Sequence, residues 1–176
     1  DVVFDGTHVW VANIASGTLT RVDPTTRATT NVVVATPAGL FVAAGAVWVT
    51  QPPARDGDTP LQRVDPVTLA VTSIAAGRAP AAVAFDGTNL WVTDPRAGSM
   101  WRIDPKSGDR AELKVGGEPR AVVFDGADLW ITDSSRAAVS KVVRATGVRT
   151  DYATPTPATA LFHDRGRLLV TATSTL

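Results

Sequence analysis

The stretch AVAFDGTNLWVTD, Ala82 to Asp94, occurs in five versions along this 176-residue chain. It returns closely as DVVFDGTHVWVAN at Asp1 to Asn13 and as AVVFDGADLWITD at Ala121 to Asp133. A weaker copy, LFVAAGAVWVTQ, spans Leu40 to Gln51, and a degraded one, ALFHDRGRLLVTA, spans Ala160 to Ala172. Within the stretch, Val83 to Phe85 and Leu90 to Thr93 are short runs of β-formers. Asp86-Gly87-Thr88-Asn89 between them is a tight-hairpin signal. The marker tryptophans Trp10, Trp48, Trp91 and Trp130 stand 38, 43 and 39 residues apart, with Leu169 a further 39 on. Self-similarity at a fixed period reports on architecture before any local propensity does.

Two further markers keep the same register. Arg-Val-Asp-Pro stands at Arg21 to Pro24 and at Arg63 to Pro66, and Arg-Ile-Asp-Pro at Arg102 to Pro105. The fourth copy, Lys141-Val142-Val143-Arg144, has lost the Asp-Pro. A proline precedes the tryptophan by eleven residues at Pro37, Pro80 and Pro119, and Pro157 precedes Leu169 with one residue more. In the third copy, Met100 to Ile103 and Ala111 to Val115 add two strands. They are joined by Asp104-Pro105-Lys106-Ser107-Gly108, which suits a type I turn with a bulge. No window carries a helical period. Four short strands recurring about every 40 residues predict the blade of a β-propeller. The expected fold class is therefore all-β, a propeller of four-stranded antiparallel blades with about four and a half blades present. The expected blades of this single domain are residues 1–37, 38–80, 81–119 and 120–157, with a half blade at 158–176. Four blades and two strands make 18 strands, which is not a multiple of four, so an incomplete propeller or a fragment of a longer one is expected. An open end exposes a strand edge and an apolar face, and self-association through it is a corresponding expectation.

Composition excludes several function classes. Formal net charge is zero from 17 basic and 17 acidic side chains, and the basic ones are dispersed, which argues against nucleic-acid binding. There is no cysteine, hence no disulfide framework, thiol nucleophile or zinc ribbon. The longest apolar runs, Val32 to Val34 and Leu40 to Ala44, fall far short of the roughly 20 residues that cross a bilayer as a helix. The chain begins at Asp1 without a leader pattern, as a mature form or an excised segment would. With 44% hydrophobic residues it can bury a sizeable core without a metal.

The order proline, apolar strand, Phe-Asp-Gly, Leu-Trp-Val-Thr-Asp, then Arg-Ile-Asp-Pro resembles the YVTN-type and NHL-type propeller repeats. It is also similar to the repeat of the streptogramin B lyase family. The resemblance covers the whole chain and implies the propeller fold. Its members include extracytoplasmic sensor domains, secreted interaction domains and a few enzymes, so it leaves activity open.

Alternating strand direction puts the first-to-second and third-to-fourth turns at one end of every sheet. The second-to-third loops and the connections to the next sheet lie at the other end. The second-to-third loops vary most, at Asn13 to Thr18, Gln51 to Pro60, Asp94 to Ser99 and Asp133 to Ala138. Variable loops on a repetitive scaffold are where recognition concentrates. Asn13, Gln51, Asp94 and Asp133 occupy one equivalent position, Arg96 and Arg136 share those loops, and Arg120 flanks a connecting proline. These seven are the candidate ligand-binding residues, for a protein or a small polar ligand. A second reading stands beside this one: Asp or Asn after a strand caps the following turn. The recurring Arg21, Arg63, Arg102 and Lys141 read as structural, and the four marker tryptophans as wedges between blades. Trp101, whose counterparts are Thr20, Gln62 and Ser140, reads as a gap-filler or a surface aromatic.

No catalytic or metal residue is assigned. An Asp56-Gly57-Asp58 calcium site lacks the six to eight oxygens it would need. The resemblance to streptogramin lyases would call for a histidine base and an acidic partner for magnesium. The two histidines, His8 and His163, fall at the turn end, and the two glutamates, Glu112 and Glu118, are not near them in sequence. A quinoprotein-type tryptophan after Gly108 is missing, since Asp109-Arg110-Ala111 comes next. The expectation is a recognition or sensor module without cofactor, extracytoplasmic or secreted. The alternative is a lyase-like enzyme whose catalytic blades lie outside this chain.

Overall fold

A computed structural model describes residues 1–164 and 166–172. The chain falls into two compact units, Asp1–Pro80 and Ala81–Leu176. In the first, β1 (Val2–Phe4), β2 (Val9–Asn13), β3 (Thr18–Val22) and β4 (Thr29–Val33) form one sheet, and β5 (Gly39–Ala43), β6 (Ala46–Thr50), β7 (Pro60–Val64) and β8 (Val71–Ala75) form a second. In the other unit, β9 (Val83–Phe85), β10 (Leu90–Asp94), β11 (Ser99–Ile103) and β12 (Arg110–Lys114) make the third sheet. The fourth holds β13 (Pro119–Phe124), β14 (Leu129–Asp133), β15 (Ala138–Val142) and β16 (Arg149–Ala153). A two-stranded sheet comes last, β17 (Ala158–Asp164) with β18 (Arg167–Ala172). Every sheet is an antiparallel meander, and the described residues contain the 18 strands that the repeat predicts and no helix.

Register decides what each face buries. Val3, Trp10, Arg21 and Thr30 lie directly across from one another, so they share one face of the first sheet. Trp10 and Leu19 cluster with Leu40, Val47, Val49 and Val64 of the second sheet, where the register puts these four on the face opposite Trp48. In the other unit, Trp91 and Met100 meet Val122, Leu129, Ile131 and Val142 in the same way. Trp130 and Val139 likewise meet Ala158, Leu161 and Leu168. Within each unit, then, the tryptophan of one sheet packs on the non-tryptophan face of the next. A fully buried large apolar side chain contributes roughly 1.5–3 kcal/mol by transfer from water, which makes these clusters the main stabilising term.

The Phe-Asp-Gly and Trp of the repeat are one device. Asp5 Oδ1 accepts the N–H groups of Thr7 and His8, closing the β1–β2 turn, while Oδ2 accepts the Trp10 indole N–H at 2.6 Å. Asp86 does the same for Thr88, Asn89 and Trp91, and Asp125 for Ala127, Asp128 and Trp130. Burial pushes these three carboxyls up, but the backbone and indole donors outweigh it and hold them below the usual carboxylate range. The second sheet, with Ala43 in place of the aspartate, satisfies the Trp48 indole on the Ala43 carbonyl at 3.0 Å. Its turn is Ala44-Gly45 with positive φ at both residues, 49° and 70°, as a two-residue hairpin needs.

The Asp-Pro turns are also uniform. Asp23, Asp65 and Asp104 each accept two backbone N–H groups from the residues two and three further on. The fourth sheet has Val143 at that position and keeps the turn by backbone bonds, Gly147 N–H to Val143 O at 2.7 Å and Val143 N–H to Val148 O at 2.9 Å. Two of the marker cations have defined partners. Arg21 donates to the Pro66 carbonyl at 2.9 Å, and Lys141 pairs with Asp128 at 2.8 Å.

Candidate functional site

At the loop end each sheet begins from the same strand geometry and finds different partners. Asn13, half-buried at the end of β2, donates through its amide to Thr18 Oγ1 and Thr20 Oγ1, and Thr20 donates on to Asn31 Oδ1 at 2.8 Å. Gln51 is buried and donates to the Pro60 carbonyl across its long loop at 3.4 Å. That loop has a fixed base. Thr59 is 2% exposed, accepts the Ala54 N–H, and donates to the Arg78 carbonyl, while its own N–H donates to Gly77 O. Arg55 to Asp58 form an exposed tip above that base. These contacts all lie in the first unit.

In the second unit, Asp94 is buried and accepts the Ala97 N–H at 3.2 Å, which caps its loop, and Arg96 on the same loop is exposed. Asp133 is buried too, within a larger network. Its Oδ1 accepts from Glu118 N, Ser135 N and Ser135 Oγ, its Oδ2 accepts from Arg149 at 2.8 Å, and the Arg136 guanidinium forms an ion pair with Oδ2 at 3.0 Å. A carboxylate has about four lone-pair positions, so these four hydrogen bonds and the Arg136 ion pair saturate it. Burial pushes the Asp133 carboxyl up, but the Ser135 hydroxyl, the Glu118 N–H, Arg149 and the Ser135 N–H outweigh that and take its pKa down to about 2. Arg149 reaches further, to Asp151 Oδ1 at 2.6 Å and to the carbonyls of Val115 and Gly116 in the link from the third sheet. Gly117, at φ +66°, completes the close approach, because a Cβ there would overlap the Asp133 carboxylate. Arg136 pairs with Asp133 and with Asp151, and Arg120 donates to Ser134 Oγ at 3.1 Å beside Glu118.

Asp94 and Asp133 thus cap their loops through hydrogen bonds, and Asn13 and Gln51 bridge theirs. Arg96, Arg120 and Arg136 extend from the loop end of the second unit as exposed cations. Two features escape a reading of the repeat. The aspartate–indole bond has a signal, an Asp five residues before Trp in three copies. Arg149 has none, since Thr29, Val71 and Arg110 stand at the corresponding strand position.

The turn end holds the two histidines. His8 is half-buried with Nδ1 4.0 Å from Asp5, and His163 is exposed on β17 opposite Leu168. Among the described residues no group of three His, Cys, Asp or Glu side chains gathers to hold a metal ion. A shallow cleft of about 230 Å³ lies at the turn end of the third sheet, lined by Asn89, Arg102, Asp104, Asp109, Arg110 and Ala111. Trp101 is half-buried nearby with the Arg110 guanidinium 4.7 Å from its ring centroid, which makes it a packed aromatic rather than a bare one.

No protein-family model matches the chain, and no curated protein matches it in sequence. Solved structures match it in fold. A catalytically inactive virginiamycin B lyase from Staphylococcus aureus, solved with quinupristin, superposes with a TM-score of 0.81 at 19% identity over 97% of this chain. A streptogramin B lyase superposes with a TM-score of 0.78 at 14% identity over 99% of the chain and 68% of its own length. An extracellular domain assigned to a one component system of B. thetaiotaomicron gives 0.74 at 12% identity, over 97% of this chain and 26% of that one. The chain spans 62% of the length of the virginiamycin B lyase. At these identities the likeness shows a β-propeller fold of the streptogramin B lyase-like kind, and that fold occurs in both a lyase and an extracellular domain. Among the described residues no helix is long and apolar enough to cross a membrane.

Proposed function

We propose that this chain is a recognition module, binding a protein or a small polar ligand at the loop end of its sheets. The observation that carries the reading is the division of labour there. Within the first unit half-buried Asn13 and buried Gln51 and Thr59 hold the loops by hydrogen bonds, and within the second buried Asp94 and Asp133 do so beside the exposed Arg96, Arg120 and Arg136, which are the groups proposed to meet the ligand. A rigid base under variable exposed cations suits a ligand with carboxylate or other anionic groups. In this reading Asp133 positions Arg136 rather than touching the ligand. The extracellular domain among the similar folds supports a sensor or interaction role outside the cytoplasm, within a larger protein.

The competing reading is a lyase-like enzyme, favoured by the lyase fold likeness. One experiment separates the two. The chain is incubated with quinupristin and magnesium, and ring opening is followed by mass spectrometry, while a panel of small dicarboxylates and acidic peptides is screened by thermal shift. A recognition module leaves quinupristin intact and is stabilised by at least one anionic probe, with the shift lost in Arg96→Ala, Arg120→Ala or Arg136→Ala. Opening of quinupristin, or a thermal shift indifferent to all three arginines, would overturn the reading.

A further inference from the structure

Four Asp-Gly pairs occur in this chain, Asp5-Gly6, Asp56-Gly57, Asp86-Gly87 and Asp125-Gly126. Their glycines are alike: φ is 97°, 81°, 91° and 102° in that order, and each has open space where a Cβ would stand. Their carboxylates are not alike. Asp5, Asp86 and Asp125 each hold two backbone N–H groups on Oδ1 and an indole N–H on Oδ2. Burial pushes these three carboxyls up, yet the donors outweigh it and keep them below the usual carboxylate range. Asp56 stands exposed at the tip of the loop between β6 and β7, and among the described residues nothing hydrogen-bonds to its carboxyl or takes the Gly57 N–H.

A side-chain carboxyl next to a glycine is open to attack by the glycine's own amide nitrogen, because no Cβ obstructs the approach. The nitrogen gives up its proton and bonds to Cγ, the carboxyl hydroxyl leaves as water, and a cyclic imide results. Water then adds back to one of the two imide carbonyls. Opening at Cγ restores aspartate, while opening at the main-chain carbonyl leaves the chain running through Cγ, which is isoaspartate. One water leaves and one returns, and nothing is oxidised or reduced. A carboxylate whose two oxygens are tied up resists this step, since the leaving oxygen must carry a proton and Cγ must turn toward the nitrogen. The neighbouring Asp58 is disfavoured for another reason: the amide that would attack it, Thr59 N–H, donates to Gly77 O at 2.7 Å.

We propose that Asp56-Gly57 is a modification site, where isoaspartate forms in the folded protein and becomes a substrate for carboxyl methyltransferases of the class that takes isoaspartate. The three hairpin Asp-Gly pairs are shielded from the same reaction by their own hydrogen bonds. The rearrangement adds one carbon to the main chain at the loop tip and leaves the carboxylate on Cα. Arg55 and Asp58 are thereby redirected. The base of the loop stays in place, because Thr59 is bonded to the Ala54 N–H and the Arg78 carbonyl on the far side of the tip.

The test incubates the intact chain in warm neutral buffer, folded and in urea. Isoaspartate is counted by enzymatic transfer of a labelled methyl group from S-adenosylmethionine and placed by electron-transfer fragmentation. In the folded chain it is expected to form several-fold faster at Asp56 than at Asp5, Asp86 or Asp125. In urea, where the hydrogen bonds are gone and every pair has the same following glycine, the four are expected to react at comparable rates. Asp56→Glu is expected to abolish methylation of the folded chain, because the ring it would have to close is larger, and to leave the melting temperature unchanged, because the tip is exposed. Equal rates at all four pairs in the folded chain would overturn the proposal. So would the absence of isoaspartate at Asp56, or a methylation signal that survives Asp56→Glu.

Discussion

At the turn end of the first, third and fourth sheets the same few atoms meet in nearly the same way, while at the loop end every four-stranded sheet finds its own partners. Asp5, Asp86 and Asp125 each collect two backbone N–H groups and one indole, so a single local pattern closes the hairpin and fixes the wedge between sheets. At the other end, Asn13 leans on two threonines, Gln51 on a carbonyl, Asp94 on a nearby amide and Asp133 on two arginines. The turn end is local in sequence, within five residues, and can be copied from repeat to repeat. At the loop end Asn13, Gln51 and Asp94 meet Thr18, Thr20, Pro60 and Ala97, three to nine positions away, whereas Asp133 draws on Glu118 and Arg149, 15 and 16 positions away, so that network varies as each neighbour varies.

The contrast can be broken at its strongest point first. Asp133→Ala removes the buried carboxylate under Arg149 and Arg136, leaving Asp151 to both, and is expected to cost about 2–3 kcal/mol, read from urea unfolding. Asn13→Ala, losing neutral hydrogen bonds at the equivalent position, is expected to cost only about 1 kcal/mol. Equal losses would mean that the loop ends are equivalent after all. Next in size, Asp86→Ala leaves an indole and two amides without acceptors, and is expected to cost about 2 kcal/mol. It should exceed Asp5→Ala, because Asp86 also accepts from Arg144 at 3.1 Å.

Acid titration sharpens the comparison. The Asp133 pKa of about 2 lies below the ordinary 3.8, so its contribution is complete above about pH 4 and is lost as pH falls toward 2. That loss is about 2 kcal/mol by linkage. Thermal melts of Asp133→Asn should show a shallower fall across this window, and a parallel curve would remove Asp133 as its cause. Smaller still, Ala44→Asn relieves a positive φ next to Gly45 and is expected to stabilise by about 0.5–1 kcal/mol. Least of all, Arg55→Ser and Asp56→Ser at the loop tip should shift stability by less than about 0.5 kcal/mol, since they are exposed above the Thr59 base.

Much of the fold is legible in the sequence because the repeat states it five times. The strand pairs around Asp86-Gly87 and Asp104-Pro105, the tryptophan wedges and the count of 18 strands all follow from local patterns seen in several copies. The candidate site is legible only in outline. Its position at the loop end follows from strand alternation, yet the saturation of Asp133 rests on Arg149, whose counterparts are a threonine, a valine and another arginine. A residue without a repeated signal becomes meaningful only when packing brings its guanidinium to a carboxylate and two carbonyls.

The sequence by itself determined the four-stranded meander, its period and its two chemically different ends, because hydrogen-bonding range and side-chain alternation within a repeat are local. The tertiary structure alone decided which polar groups are used up and which face outward. Burial and charge pairing depend on the sheet packed alongside, and the single chemistry of Asp–Trp therefore yields a buried wedge at Trp10 and a half-covered one at Trp130.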